Sequence, residues 1–365
     1  MIKIKILYVV STLARSGPTN QLLNIIRNLD KERFDATVIT LSPEPQDSLK
    51  AKYDELGVDV KTLGLSRIQG LLQSKKRLKQ FINSLEPSII HTQGLRADTL
   101  LSKLGSPVPW VMTSRNYPFD DYPMKFGALK GQLMALTHIS AMKKCHHVVA
   151  CSKTIANQLG QHNVEATPIQ NGVHIENHSH TNSEAILQTY ESPIFISVGS
   201  LIARKNMSLL VDAFNQYFQH HKGSLVILGD GPERATLESL ADSERIHILG
   251  SVANVRDYLH AADYFVSASL SEGLPNTVLE GLSAGLPALL SDIPSHLEIE
   301  NESAQCSTIF ALDSNTDELL GKLTAINEIF AADASSEAEQ LAHSVFSAQS
   351  MSKKYQCLYQ SLVNS

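Results

Sequence analysis

The stretch Ser271-Glu272-Gly273-Leu274-Pro275-Asn276-Thr277-Val278-Leu279-Glu280-Gly281-Leu282-Ser283-Ala284-Gly285-Leu286-Pro287 sets two carboxylates around a turn, punctuated by glycine and proline, that opens a helix. Residues 263–269 before it read as a strand, Pro275 suits the first turn of the helix, and Gly285 ends it before a further strand at residues 287–290. The stretch therefore sits on a strand–turn–helix–strand unit. The backbone amides of Asn276 and Thr277 are donors at a helix N-terminus, where the dipole favours an anion such as a diphosphate, and Glu280 lies about one turn further on.

Outward from this unit the chain alternates short β-rich runs with amphipathic helical ones, the pattern of parallel sheets covered on both faces. Strands fit residues 4–10, 36–41, 58–63, 89–91, 110–113 and 147–150, with helices at residues 19–29 and 71–84 among the intervals. After a polar, histidine-bearing stretch a second series follows at residues 194–198, 224–228, 246–249, 264–267 and 288–291. The fold class is α/β: two Rossmann-like domains whose parallel sheets face a central cleft. The boundaries are an N-terminal domain at residues 1–175, a linker at 176–192, a second domain at 193–345 and a C-terminal helix within 346–365.

A chain of 365 residues exceeds the size at which one core keeps growing, which agrees with two domains. The net charge of −6 hides an asymmetry: residues 1–175 carry 22 Lys and Arg against 13 Asp and Glu, while residues 176–365 carry 9 against 24. A basic first half suits an anionic partner such as a lipid phosphate or a membrane surface. It lacks the aromatic and arginine-rich composition of a nucleic-acid binder. The run Lys75-Lys76-Arg77-Leu78-Lys79 could rest on anionic lipid, and a solvated face over a buried stripe is the competing reading. Four cysteines without CxxC spacing point to a reducing compartment. With no signal peptide or membrane-spanning run, the expected location is the cytoplasm, with peripheral contact at the inner face of a membrane left open.

Four further places carry candidate chemistry. Gly199-Ser200-Leu201-Ile202-Ala203-Arg204-Lys205 follows a strand and precedes a helix, and its two adjacent cations are placed to neutralise a pyrophosphate. Gly229-Asp230-Gly231-Pro232 could admit a base or ribose close to backbone, and Ser251 and Val252 could offer backbone groups to a nucleobase; ordinary turns compete with both readings. In the first half, Arg15, Gly17 and Pro18 form a strand-to-helix turn where Gly17 allows close backbone approach by the donor, while His91 and Arg115 sit at strand ends whose loops should face the cleft, making Arg15, His91 and Arg115 the acceptor-side candidates. A lone histidine is also a common structural residue. The spacing of His174, His178 and His180 matches no ligand pattern, and Asp120-Asp121 is not a D-x-D pair, so neither a metal nor a cofactor is expected.

Together these residues resemble the retaining GT-B glycosyltransferases of the GT4 family, glycosyltransferase group 1. The resemblance spans nearly the whole chain. It is carried by Glu272 and Glu280 with seven residues between them, Gly199-Ser200-Leu201 followed by Lys205, Leu228-Gly229-Asp230-Gly231-Pro232, Ile169-Gln170-Asn171-Gly172-Val173 and Ala261-Ala262-Asp263. It implies transfer of a hexosyl or N-acetylhexosaminyl group from a nucleotide-diphosphate sugar, most readily UDP-linked, to a saccharide or lipid-linked saccharide in surface polysaccharide or lipopolysaccharide assembly. Glu272 would hold donor-sugar hydroxyls with the backbone of Gly273, Leu274, Pro275, Asn276 and Thr277; Glu280 would take the ribose, and Lys205 the diphosphate. The reaction would be metal-independent, and the final helix would pack back on the first domain. The chain departs from the family where an arginine is common at Ser200, for which Arg204 is the candidate replacement, where a second glycine is common beside Gly17, and where Arg115 stands in place of a frequent histidine. Arg115 could bind a phosphate or carboxylate on the acceptor. Two other readings stay open: a sugar-nucleotide epimerase on a similar scaffold, and a weakly active subunit that binds nucleotide sugars.

Overall fold

The computed structural model describes residues 3–65, 67–175 and 181–364. The chain divides into two compact units, Met1–His174 with Ala348–Ser365, and Ile175–Ser347.

The first unit is built on β1 (Ile4–Val10), β2 (Phe34–Thr40), β3 (Asp59–Thr62), β4 (Ile89–Gln93), β5 (Trp110–Ser114), β6 (His147–Ala150) and β7 (Ala166–Pro168). They form one parallel seven-stranded sheet in the order β3-β2-β1-β4-β5-β6-β7. Its central strands are apolar runs because helices cover both faces: Ile6 to Val10 and all of β4 and β5 are buried. One covering layer pairs the helix Gly17–Arg27 with the C-terminal helix Ala348–Asn364. Leu22, Ile25 and Ile26 pack there with Met351, Tyr355 and Tyr359. Ser352 Oγ donates to Ile25 O (2.8 Å), and Gln356 Nε2 donates to Asn28 O (3.0 Å).

The second unit is built on β8 (Ile194–Val198), β9 (Ser224–Leu228), β10 (Ile246–Gly250), β11 (Tyr264–Ser267), β12 (Ala288–Ser291) and β13 (Ser307–Phe310). They make a parallel six-stranded sheet in the order β10-β9-β8-β11-β12-β13. Phe195, Leu225, Ile227, Val266 and Leu289 from the sheet meet Leu210, Phe214 and Leu323 from its helices in one core.

Several boundaries differ from the sequence expectation for local reasons. The helix expected from residue 19 starts at Gly17, because Ser16 caps it and Pro18 fits its first turn. The helix of the 271–287 stretch is Asn276–Ser283, with Pro275 just outside it as the capping residue. The stretch expected as a plain linker contains a helix, Thr181–Leu187, that docks on the helix Val255–Ala261. His178 and His180 lie outside the described residues.

Candidate functional site

In both sheets the strand order reverses beside the first strand of the unit. On the first, β1 has β2 on one side and β4 on the other; on the second, β8 has β9 on one side and β11 on the other. The crevice beyond the strands' C-terminal ends at such a reversal is where open α/β sheets bind ligands. The candidate residues collect at these two places.

In the second unit, the chain leaving β8 makes a turn whose last residues, Ala203–Lys205, form a short 3₁₀ helix. Asn206 takes a left-handed conformation (φ 52°) and admits the helix Met207–Tyr217. The Lys205 stem runs close over Gly199, where a Cβ would stand 3.1 Å from Lys205 Cε. Lys205 is thereby aimed at the loop that follows β11. Its Nζ lies 2.6 Å from Glu272 Oε1, and Arg204 Nη1 lies 2.8 Å from Glu272 Oε2. Arg204 Nη1 also donates to Ser271 O, while Arg204 O accepts from Leu270 N (2.8 Å), so the two strand-end loops are clipped together. Ser269 Oγ donates to Glu272 Oε1 (3.1 Å).

The electrostatics of the two motif glutamates diverge. Burial pushes the Glu272 carboxyl up, but Lys205 and then Arg204 outweigh it and hold its pKa down at about 2. Burial also acts on Glu280, in the helix Asn276–Ser283; Arg256 and Lys205 oppose it incompletely, and its pKa is raised to about 7. The first is a fixed anion, while the second titrates near neutrality.

Behind Glu272 lies His296, fully buried. Its Nδ1 is 3.0 Å from Ser291 O, and its Nε2 is 3.5 Å from Ser267 Oγ, which lies 3.3 Å from Ser269 Oγ. Burial lowers the His296 pKa to about 4, with Glu272 pulling the other way. The sequence reading missed Ser269, Arg256 and His296. Ser269 stands three residues before Glu272 and was within reach of that reading; the others arrive through packing of separate elements.

The remaining donor-side candidates fall around this cluster. Gly229 (φ 140°) is a glycine because a Cβ would overlap the Gly199 carbonyl, and at Gly231 one would run into the Leu201 backbone. Chain-on-chain packing thus accounts for glycine at both positions. Gly229 N donates to Gly250 O (2.8 Å), which brings the start of the Ser251-Val252 loop alongside. Ser200 is exposed at the turn. Gly273, Leu274 and Pro275 are buried, with Asn276 and Thr277 half-buried at the helix start.

In the first unit the reversal opens into a cavity of about 450 Å3. Ser11 and Thr12 beyond β1, Gln93 at the end of β4 and Arg115 beyond β5 line it. The loop beyond β1 is held by Glu44, whose carboxylate accepts from Leu13 N (2.9 Å). Arg115 Nη1 donates to Asn171 Oδ1 (2.7 Å), and its Nε reaches Gln93 Oε1 (3.4 Å). Its Nη2 is buried without a hydrogen-bond partner. On the far wall stand Tyr122 and His138; His138 Nε2 donates to Asp98 Oδ2 (2.8 Å), and its Nδ1 lies 2.8 Å from the Tyr122 hydroxyl.

Three first-unit candidates lie off this cavity wall. Gly17 is the exposed first residue of its helix, beside Ser16 and Pro18, which do line the cavity. Arg15 is exposed, its backbone N–H donating to Asp47 O (3.3 Å). His91 needs correction as an acceptor-facing group, because it is fully buried with both ring nitrogens engaged. Its Nδ1 meets the Tyr359 hydroxyl at 2.7 Å and its Nε2 meets Thr113 Oγ1 at 2.8 Å. Burial, then the charge of Arg115, lowers its pKa to about 3. It is a neutral core residue that ties β4 and β5 to the C-terminal helix.

Comparisons with known proteins bear on the same two units. Residues 15–177 match the family model Glycosyltransferase Family 4, and residues 192–326 match Glycosyl transferases group 1. The O-antigen biosynthesis glycosyltransferase WclY of Escherichia coli is 25% identical over 308 residues, covering 81% of this chain and 82% of WclY. The putative teichuronic acid biosynthesis glycosyltransferase TuaC of Bacillus subtilis is 29% identical over 253 residues, 63% of this chain and 61% of TuaC. Among solved structures, Anabaena HepE in complex with UDP superposes with a TM-score of 0.80 at 16% identity, covering 98% of this chain and all of HepE (100%). Sucrose-phosphate synthase from Thermosynechococcus elongatus superposes with a TM-score of 0.81 at 15% identity over 99% of this chain and 100% of its own. At these identities the two structures speak to fold.

Proposed function

The chain belongs to glycosyltransferase family 4, group 1, with the GT-B fold, and from that premise we propose that it is a retaining, metal-independent enzyme that moves a hexosyl or N-acetylhexosaminyl group from a UDP-sugar to a saccharide or lipid-linked saccharide acceptor. The setting is assembly of surface polysaccharide or lipopolysaccharide at the inner face of a membrane. The names of WclY and TuaC support that setting, and HepE, solved with UDP and with UDP-glucose, supports the donor class.

The observation that carries the reading is the pairing of one nearly buried carboxylate, Glu272, with two adjacent cations at the switch point of the second sheet. Glycosyl transfer leaves a diphosphate on which negative charge grows as the sugar departs, so catalysis calls for cations fixed in advance in a poorly solvated place. Lys205 and Arg204 have that position. A diphosphate entering the switch point would draw their ammonium and guanidinium groups toward its oxygens and free Glu272 Oε1 and Oε2 to accept from donor-sugar hydroxyls. The backbone N–H groups of Asn276 and Thr277 add donors at the start of the Asn276–Ser283 helix, and Glu280, one turn on, faces the ribose. In this mechanism the departing phosphate takes the acceptor proton on the face it leaves, which gives retention without a strong protein base. Arg204 serves the phosphate in place of an arginine at position 200, and the cavity with Arg115 receives the acceptor.

The test follows released nucleotide across a panel of nucleotide sugars, with and without a saccharide or lipid-linked acceptor fraction, for the wild type and Glu272→Ala. Release that depends on acceptor, lost by about a thousandfold in Glu272→Ala, is the expected result. A sugar nucleotide altered without release of nucleotide would point to epimerisation, and unchanged turnover in Glu272→Ala would remove Glu272 from the site.

A further inference from the structure

Five of the large apolar side chains exposed on the molecule fall in one thirteen-residue stretch of the first unit: Met124 (55% exposed), Phe126 (45%), Leu129 (87%), Leu133 (67%) and Leu136 (57%). They lie on the end of the helix Pro118–Phe126 and on the helix Ala128–Met142. Leu129, Leu133 and Leu136 follow i, i+4, i+7 spacing and share one face. The opposite face of the same helix is already spent on the core: Gly131, Ala135, His138, Ile139 and Met142 are buried. The hairpin is also firmly seated. A Cβ on Gly131 would run into the backbone of Tyr122 and Pro123, so the two helices touch closely, and Tyr122, His138 and Asp98 bind them to the helix Leu95–Leu104. The outward leucines are therefore a fixed ridge on a folded element.

Asp120 and Asp121 lie in the first helix of the hairpin, where Asp121 pairs with Lys125 (2.8 Å), and beyond them the charge has one sign. Between Asp121 and Glu165 the sequence has no carboxylate side chain, while it carries Lys125, Lys130, Lys143, Lys144 and Lys153. Lys130 stands over the Phe126 ring, 5.4 Å from its centroid, and the pair Lys143-Lys144 is exposed just past the helix. An apolar ridge with Lys130 on it and the Lys143-Lys144 pair past its end matches the boundary between acyl chains and anionic headgroups, where leucines enter and lysines stay at the phosphate level. A second copy of the chain fits less well, because a two-fold contact through the ridge would set these lysines against themselves. Among the described residues no helix is long and apolar enough to cross a membrane, so the contact would be one of lying on the surface.

We propose that the hairpin of helices Pro118–Phe126 and Ala128–Met142 is a membrane-docking surface that seats the first unit on an anionic bilayer. The inner side of this hairpin walls the cavity, through Tyr122, Lys125, Phe126, Met134 and His138. Docking on its outer side thus holds that cavity next to the lipid, where a lipid-linked acceptor would be presented; this consequence rests on the transfer reaction proposed above, and the docking itself does not.

Flotation of the full chain with two vesicle types tests it: phosphatidylcholine alone, and phosphatidylcholine with about a third replaced by phosphatidylglycerol. The wild type should float with the anionic vesicles and much less with the neutral ones. The triple variant Leu129→Ser, Leu133→Ser, Leu136→Ser should lose about tenfold or more of that binding with its melting temperature unchanged, since all three side chains are exposed. Lys130→Glu should weaken binding to the anionic vesicles alone. Leu72→Ser, on the basic helix Arg67–Leu85 that is the competing surface, should float like the wild type. Glu272→Ala should also float normally, so a failed transfer reaction and a failed docking surface give different results. The proposal is overturned if the wild type floats with neither vesicle, if the triple serine variant floats undiminished, or if that variant's only effect is to dissolve a dimer.

Discussion

The two sheets reverse at equivalent places, yet the ends of their strands are furnished in opposite ways. Beyond β8 and β11 charge is dense and largely paired: Glu272 is held by Lys205, Arg204 and Ser269 within 3.1 Å, while Arg204 Nε is buried without a hydrogen-bond partner. Beyond β1, β4 and β5 there is instead an open cavity whose guanidinium, Arg115, meets the amide oxygens of Asn171 and Gln93 and likewise keeps one buried nitrogen without a partner. A carboxylate brought between two cations settles its own electrostatics and stands ready to trade partners with an incoming anion. A buried donor with no partner is a standing cost, on the order of 1–3 kcal/mol, that a ligand oxygen would relieve. The two switch points are furnished differently: prepaid charge on one, and an open cavity with a guanidinium on neutral amide partners on the other.

The largest effect expected of a change to this contrast is at Lys205. Lys205→Ala should lower kcat about a hundred- to a thousandfold, because in the proposed mechanism it removes a fixed cation from the atom where charge develops, and should leave acceptor KM nearly unmoved. Arg204 and Ser269 would still hold Glu272, so the protein should remain folded. Steady-state kinetics with saturating donor decides it. A raised donor KM with kcat intact would mean that Lys205 binds ground state and transition state alike, and the second switch point would lose its claim to prepaid charge.

A smaller effect belongs to Arg115. Arg115→Ala should raise acceptor KM about tenfold while donor affinity stays put, the loss of one charge-assisted contact. Arg115→Lys should recover little of it, since a lysine cannot reach Asn171, Gln93 and an acceptor oxygen with one planar group. If Arg115→Ala changes donor affinity and spares the acceptor, the assignment of the two switch points is reversed.

Much of this arrangement was legible in the sequence because it is local. The strands at residues 194–198, 224–228, 264–267 and 288–291 fall where the structure has β8, β9, β11 and β12, since an apolar run buried on both faces leaves a plain signature. Edge strands leave little signal: β7 spans three residues ending in a proline, and β13 spans four. Glu272 and Lys205 were legible as members of one site because each lies in the loop after a strand and parallel strands share one C-terminal edge, while their ion pair was not foreseen. His91 has the same strand-end position and was misread. What encloses it is Tyr359, from a helix 268 residues further along, and nothing near His91 announces that partner. His296 was missed for the same reason, as its neighbours Ser267 and Ser291 come from β11 and β12. The ridge on the helix Ala128–Met142 is apolar on both faces, and a periodicity reading has no means of saying which face stays outside.

The smallest effect, and the one that most sharpens the contrast in charge, is the titration of the two motif glutamates. Glu272 has a folded pKa of about 2 against an ordinary 4.5, so its stabilisation is fully present above 4.5 and is lost as pH falls through the acid range toward 2, worth up to about 3 kcal/mol. Glu280 behaves in the opposite sense. With a folded pKa of about 7 it binds its proton more tightly in the folded state, so stability declines as pH rises from about 4.5 and levels off above 7. Glu280→Gln mimics the protonated form and should remove this decline: the variant should gain melting temperature over the wild type at pH 8 and show little gain at pH 5, while Glu272→Gln should destabilise at pH 7 and cost little near pH 2. Melting curves of wild type and Glu280→Gln from pH 5 to 8, and of wild type and Glu272→Gln from pH 7 down to pH 2, read as differences so that the histidines cancel, are sufficient. Donor affinity in Glu280→Gln should then lose the pH dependence that the wild type shows near neutrality, since two ribose hydroxyls donate best to an ionised carboxylate. A Glu280→Gln difference that stays flat across this range would mean that Glu280 is ionised throughout, a second fixed anion in the motif, and the division between a permanent and a titrating carboxylate would fall.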